Sequence, residues 1–134
     1  MIEEVSAKKL NTKRFIEEKV NEIKVTVGDG LAINALSGGV ASSTVTMLGH
    51  LALGKRLKTV FIENGLMRAG EPARVVGLFK KLKVPVEIVD ARKAFFSALK
   101  GVTDPEEKRE AITQTFYKHV FGKIGKQSGA RFLL

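Results

Sequence analysis

Ser37-Gly38-Gly39-Val40-Ala41-Ser42-Ser43 follows the apolar run Leu31 to Leu36 and opens the helix-like stretch Thr44 to Leu53. The order is a strand, a glycine turn and a helix start. A helix start leaves its first backbone N–H groups unpaired and carries the positive end of the helix dipole, so an anion there meets several donors and a favourable field. Glycine at 38 and 39 lets the backbone approach the anion with no side chain in the way. The hydroxyls of Ser37, Ser42 and Ser43 can donate to phosphate oxygens or cap the helix. The alternative is an ordinary strand-to-helix turn built from small residues. Three serines around the paired glycines favour phosphate binding over it.

Upstream, residues 1–11 are polar and basic and read as a loosely held arm, leaving 12–134 as the folded unit. Ile16, Val20, Ile23 and Val27 recur at helical spacing from Thr12, and Gly28-Asp29-Gly30 ends that helix as a tight turn. Leu31 to Leu36 is nearly all apolar, as expected of a parallel strand covered on both faces. The helix after the loop is expected to turn Val45, Leu48, Leu51 and Ala52 to the sheet and to stop near Gly54. Gly49-x-x-x-x-Gly54-Lys55 imitates the start of a Walker A loop. It fails because Arg56 stands where a Ser or Thr should touch magnesium, and because the segment leaves a helix toward a strand.

Downstream, Thr59 to Ile62 reads as a second strand, and Pro72 sits near the start of a helix whose stripe is Val75, Leu78 and Leu82. Val84 to Val89 is a third strand, with Pro85 at its beginning. Asp90 or Ala91 leads into a short helix holding Phe95, Phe96 and Leu99. Thr103-Asp104-Pro105-Glu106-Glu107 combines a capping residue, proline in the first turn and early acids, a helix-start signature. Ile112, Phe116, Val120 and Ile124 then form a core stripe. Gly129 precedes Arg131-Phe132-Leu133-Leu134, a fourth strand at which the chain stops in an apolar run.

Strands alternating with helices predict an α/β fold: a three-layer parallel sheet with helices on both faces and right-handed crossovers. Ligands of such sheets bind at the carboxyl ends of the strands, near the switch in strand order. The loops after Leu36, Ile62 and Val89 should therefore share one rim, bringing together residues 37–43, 63–68 and 90–92.

A chain of 134 residues supports one domain without covalent staples, and it contains no cysteine, which excludes disulfides and thiolate chemistry. No apolar run approaches the roughly 20 residues that cross a bilayer, and Met1-Ile2-Glu3-Glu4 lacks the order of a signal peptide. The expectation is a soluble, cytoplasmic protein. The 23 Lys and Arg against 14 Asp and Glu give +9, which favours anionic partners. Its lysines (Lys8-Lys9, Lys80-Lys81, Lys123 to Lys126) have little aromatic interleaving, so they read as solvated helix faces rather than a nucleic-acid surface.

The loop Ser-Gly-Gly-Val-x-Ser-Ser resembles the pyrophosphate-binding loop of the N-type ATP pyrophosphatases, whose fifth position is normally Asp and is here Ala41. Phe61-Ile62-Glu63-Asn64-Gly65-Leu66-Met67-Arg68 is similar to the segment after the second strand of GMP synthases. Phe95-Phe96-x-x-Leu99-Lys100-Gly101-Val102-Thr103-Asp104-Pro105-Glu106-Glu107-Lys108-Arg109 looks like the stretch that sets that branch apart. The resemblance covers about residues 12–134. It implies an adenine nucleotide alpha hydrolase-like (Rossmann-like) domain, here its front part, truncated after the fourth strand.

By that resemblance the activity is that of an ATP-dependent C–N ligase in purine (GMP) biosynthesis. ATP and Mg2+ activate xanthosine monophosphate (XMP) as an adenylyl intermediate with release of pyrophosphate, and ammonia then gives GMP. Ser37, Gly38, Gly39, Val40, Ala41, Ser42 and Ser43 would hold the pyrophosphate. The backbone near Ile62 and Glu63 would meet adenine, and Arg68 the xanthosine nucleotide. Arg68 also fits a plain helix-start charge. Asp90 is a weaker candidate for a magnesium or ribose contact. Lys100 and Lys108 could reach phosphates or simply be solvated, and Asp104 already has a sufficient role as a cap. His50 and His119 have no metal-ligand spacing between them and read as surface or helix-packing residues.

No glutamine amidotransferase segment is present, so the implied ammonia source is a separate glutamine amidotransferase subunit or free ammonia in solution. The open sheet edge after Leu134 would suit a homo-oligomer. Removing the loop carboxylate at position 41 leaves the backbone cradle intact, so the expectation is nucleotide binding with little turnover. A non-catalytic nucleotide-binding or interaction module is the first alternative. An RNA-modifying relative of the same superfamily is the second, disfavoured by the Gly101 to Arg109 motif and the lack of cysteine.

Overall fold

The computed structural model describes residue 6 and residues 9–134, so most of the polar arm expected over 1–11 lies outside the described residues. Strands β1 (Ala32–Ala35), β2 (Leu57–Glu63), β3 (Glu87–Asp90) and β4 (Phe132–Leu133) form one parallel sheet in the order β3-β2-β1-β4. The chain steps from β1 to β2 to β3 in one direction and returns past β1 to β4. With right-handed crossovers, connections running in opposite directions fall on opposite faces. The sheet is covered accordingly, and its order switches at β1.

On one face, Ala32 and Leu57 pack with Val27, Ala52 and Leu53 of helices α1 (Thr12–Val27) and α2 (Val40–Leu53). Beside them Leu36 and Phe61 pack with Val75 and Phe79 of α3 (Glu71–Lys81) and with Val84. The alternate strand residues Ile33, Val60 and Ile62 face the other way, toward Ala91, Phe95 of α4 (Arg92–Leu99), Val120 and Phe121. The period of two along each strand thus serves two cores.

From Pro105 the chain runs as α5 (Pro105–Gln114), a wide turn over Thr115–Phe121 and α6 (Gly122–Ser128). In the wide turn the Gly122 N–H reaches the carbonyl of Tyr117, five residues back, instead of four. That extra residue per turn lets Thr115, Val120 and Phe121 all be buried while Ile112, Phe116 and Ile124 keep to the same core. The stripe is as the periodicity predicts; the widening is not visible in it.

Several expected faces and bounds differ. Helix α2 begins at Val40 rather than Thr44, so Val40 to Ser43 is its first turn. Its buried face is Thr46, Gly49, Ala52 and Leu53, whereas Val45 and Leu51 are exposed. Hydropathy misplaces this face because α2 carries no charged residue and mixes small polar with apolar residues on every side, and a close fit selects the side: a Cβ on Gly49 would lie 2.8 Å from Leu57 Cδ2. In α3 the buried pair is Val75 and Phe79, while Leu78 and Leu82 are exposed. Ile16 of α1 is also exposed. Strand β2 extends beyond Thr59 to Ile62 at both ends, and β3 starts at Glu87, past Pro85.

Candidate functional site

The strand ends assemble the rim that the alternation of elements predicts. Leu36 N–H still reaches the Val60 carbonyl at 2.8 Å, and Ala91 N–H reaches that of Glu63 at 2.9 Å, so the three loops leave the sheet side by side. In a parallel ladder the backbone groups of successive residues point alternately to the two neighbouring strands. Val60 turns its carbonyl to β1 and Glu63 turns its own to β3. Ile62 must then turn its N–H and carbonyl to the β1 side, beyond the last bond to that strand and beside the glycine loop.

That loop is braced by its own hydroxyls. Ser42 Oγ accepts from the Ser37 N–H at 3.1 Å and lies 2.9 Å from Ser37 Oγ, which in turn accepts from the Gly39 N–H at 3.3 Å. Ser42 Oγ is also 3.3 Å from the Gly39 carbonyl. The first bond of α2 runs from Ser43 N–H to that carbonyl at 3.0 Å. The N–H groups of Val40, Ala41 and Ser42 lie ahead of it, and no side chain among the described residues caps the helix. The side chains of Val40 and Ala41 are exposed on the rim.

The two glycines have different reasons. Gly38 has φ +89°, and a Cβ there would stand 2.6 Å from Val75 Cγ2, so both backbone and packing require glycine. Gly39 has an extended φ of −73°, and a Cβ there would meet only Ser37 Oγ, at an ordinary 3.5 Å. Packing within the protein leaves that position free.

Beneath the loop lies a buried polar chain. Asn34, Thr46 and Thr59 are 1%, 0% and 3% exposed. Thr59 Oγ1 donates to Asn34 Oδ1 at 2.8 Å, Asn34 Nδ2 donates to Thr46 Oγ1 at 2.7 Å, and Thr46 Oγ1 donates to the Ser42 carbonyl at 2.7 Å. No buried side-chain N or O among the described residues lacks a partner. Sequence reading passed over these three, although an amide in an otherwise apolar strand was the available signal.

Glu63 bends back so that Oε1 accepts from the Gly65 N–H at 2.8 Å, and Glu71 Oε2 accepts from the Arg68 N–H at 3.1 Å at the start of α3. Glu63, Gly65, Met67, Arg68, Arg92 and Phe96 line a cleft of about 470 Å³. Asp90, Arg92, Phe96 and Lys100 line an adjoining groove of about 860 Å³. Asp90 is engaged there by Arg92, with Nε at 2.9 Å from Oδ1 and Nη2 at 2.6 Å from Oδ2. Those bonds and the Arg92 N–H hold its carboxyl down at about 2. On the other side of the loop, Gly38 and Ser43 share a groove of about 570 Å³ with Arg74, a cation that sequence reading did not single out.

The rim therefore gathers residues 37–43, Ile62, Glu63, Arg68, Asp90 and Lys100. Asp104 instead caps α5, accepting from Glu106 N–H at 2.9 Å and Glu107 N–H at 3.0 Å. Lys108 is exposed on α5 and lines none of these grooves. Among the described residues no three His, Asp or Glu converge as a metal site, and no helix is long and apolar enough to cross a membrane.

No protein-family model matches the chain. It is 53% identical over 122 residues to a subunit of the glutamine-hydrolyzing GMP synthase of Pyrococcus horikoshii, a match covering 90% of this chain and 39% of that protein. The corresponding subunit of Thermococcus kodakarensis is 53% identical over 123 residues, 91% of this chain and 40% of that protein. The glutamine-hydrolyzing GMP synthase of Synechococcus is 45% identical over 119 residues, 88% and 22%. The chain thus spans about two fifths of the length of the Pyrococcus and Thermococcus proteins. Among solved structures, the NH3-dependent NAD synthetase of Campylobacter jejuni superposes with TM-score 0.76 at 13% identity, covering 92% of this chain and 56% of that one. The glutamine-dependent NAD+ synthetase of Acinetobacter baumannii gives 0.73 at 16%, covering 98% and 26%. These two likenesses establish the shared fold.

Proposed function

Since this chain is a homologue of those GMP synthase proteins over the stretch they share, we propose that it is the ATP-binding, pyrophosphate-holding portion of a GMP synthase, acting in the conversion of XMP to GMP. The observation that carries the reading is the free turn at the switch point of the sheet. Three N–H groups of α2 precede its first internal bond, and Gly39 keeps open a space that the protein's own packing does not claim.

In this reading the N–H groups of Val40, Ala41 and Ser42 receive the departing pyrophosphate, fixed before the reaction by the Ser37–Ser42 brace. Adenine lies along the Ile62 backbone, whose groups are turned to the loop. Arg68, at the mouth of the cleft with Glu63, receives the anionic second nucleotide. Arg92 holds Asp90 with Nε on one carboxylate oxygen and Nη2 on the other, which fixes the guanidinium at the rim. Mg2+ would accompany the nucleotide and offset the charge of its phosphates. Ammonia comes from a separate glutamine amidotransferase subunit, and the setting is the cytoplasm.

Ala41 favours a second reading, a module that binds nucleotide without turning it over. The test is calorimetric titration of Mg-ATP into this chain and its Ala41→Asp variant at fixed salt, with pyrophosphate release assayed on XMP and ammonia. The ligase reading expects ATP binding in both and a change in binding or release on restoring the carboxylate. Binding unchanged by that substitution, with no release, favours the module. No binding in either removes the nucleotide reading.

A further inference from the structure

The buried chain under the loop has a single sense. Ser42's carbonyl can only accept, so the proton between it and Thr46 Oγ1 belongs to Thr46. Thr46 must then accept from Asn34 Nδ2, which leaves Asn34 Oδ1 to accept from Thr59. The sense continues through the backbone. The peptide that carries the Ser42 carbonyl also carries the Ser43 N–H, which donates to Gly39's carbonyl, and that peptide carries the Val40 N–H. Successive hydrogen bonds of one sense polarise one another. This series begins at Thr59 on β2, crosses Asn34 on β1, enters the first turn of α2 and ends on an N–H that no group among the described residues receives.

We propose that Asn34, acting through Thr46, is a positioning residue for the anion-binding turn, fixing its first peptides against the strand ends and polarising the Val40 N–H toward a phosphate. The inference rests on the reading of residues 37–43 as a phosphate site. The register explains why Asn34 can do this: it lies directly opposite Thr59, on the face that α2 covers. Because all three side chains are buried, no water competes for the bonds, and an apolar trio would pack there without any link to the loop.

The test uses the 15N-labelled chain with inorganic pyrophosphate as probe, in the parent, Thr46→Ser, Thr46→Val and the triple variant Asn34→Leu/Thr46→Val/Thr59→Val. Serine keeps the hydroxyl and loses the methyl; valine does the reverse. The expected result is that Thr46→Ser binds pyrophosphate within about twofold of the parent, whereas Thr46→Val and the triple variant bind about 5- to 10-fold more weakly. In the latter two the Val40 and Ser43 amide protons also move upfield without ligand. The triple variant orphans no polar atom of the trio, so it separates a lost link from a lost fold. An unchanged affinity and unchanged Val40 shift in the folded triple variant, or a loss in Thr46→Ser as large as in Thr46→Val, overturns the proposal. If pyrophosphate leaves the amides of residues 37–43 unmoved in the parent, the phosphate reading itself falls. The ligand-free shifts of Val40 and Ser43 still decide whether the polar chain acts on the turn.

Discussion

Gly38 and Val75 are packed so closely that a Cβ on the glycine would lie 2.6 Å from Val75 Cγ2, at a backbone angle that side chains rarely adopt. The loop is thereby locked against α3. Gly38→Ala should destabilise the chain by about 2–4 kcal/mol, combining left-handed strain with overpacking. Gly39→Ala should cost well under about 1 kcal/mol and yet weaken pyrophosphate binding. Urea unfolding of both, beside a pyrophosphate titration of Gly39→Ala, checks the contrast; a Gly39→Ala chain that binds normally would show the space is not used.

Ala41 is exposed in the first turn of α2, which has no acidic residue there. Ala41→Asp should therefore raise stability by about 0.3–1 kcal/mol at neutral pH through the helix dipole. The gain should disappear once acid protonates the new carboxyl. Thermal unfolding of both chains at neutral and acid pH measures it.

The Asp90 carboxyl, held at about 2 by Arg92 against an ordinary 3.8, titrates lower in the folded chain than in the unfolded one. Its contribution is thus fully present above about pH 4 and is lost as pH falls through about 2. Arg92→Ala should return the Asp90 carboxyl toward its ordinary value, followed by the carboxyl 13C shift. Asp90→Asn should flatten the acid limb of stability in the same window.

Asp104 caps α5 through two N–H groups, so Asp104→Ala should lower stability by about 1 kcal/mol and Asp104→Asn by less. Lys108→Ala, exposed in the same helix, should stay within about 0.5 kcal/mol of the parent. Equal losses in denaturant melts of Asp104→Ala and Lys108→Ala would contradict the capping assignment.

The order of elements, their parallel pairing and the gathering of three loops on one rim were legible in the sequence. So was the α5 cap. Each follows from local chemistry: apolar runs make strands, glycine and proline punctuate, and acids with a capping residue start helices. The similarity of the segments Phe61 to Arg68 and Phe95 to Arg109 to GMP synthases was likewise a property of the string of residues, and the 53% identity to the Pyrococcus horikoshii protein agrees with it.

Tertiary structure alone decided which side of α2 and of α3 is inside. In α2 small polar and apolar residues are mixed and no charge marks an outer face, so the close approach of Gly49 to Leu57 and the Asn34–Thr46 bond choose the side. In α3 the same competition buried Phe79 and left Leu78 and Leu82 in solvent. The Asp90–Arg92 pairing, the wide turn over Thr115–Phe121 and the separate reasons for Gly38 and Gly39 also depend on where distant residues arrive. A sequence states what each residue prefers; contact between elements far apart in the chain settles which preferences are met.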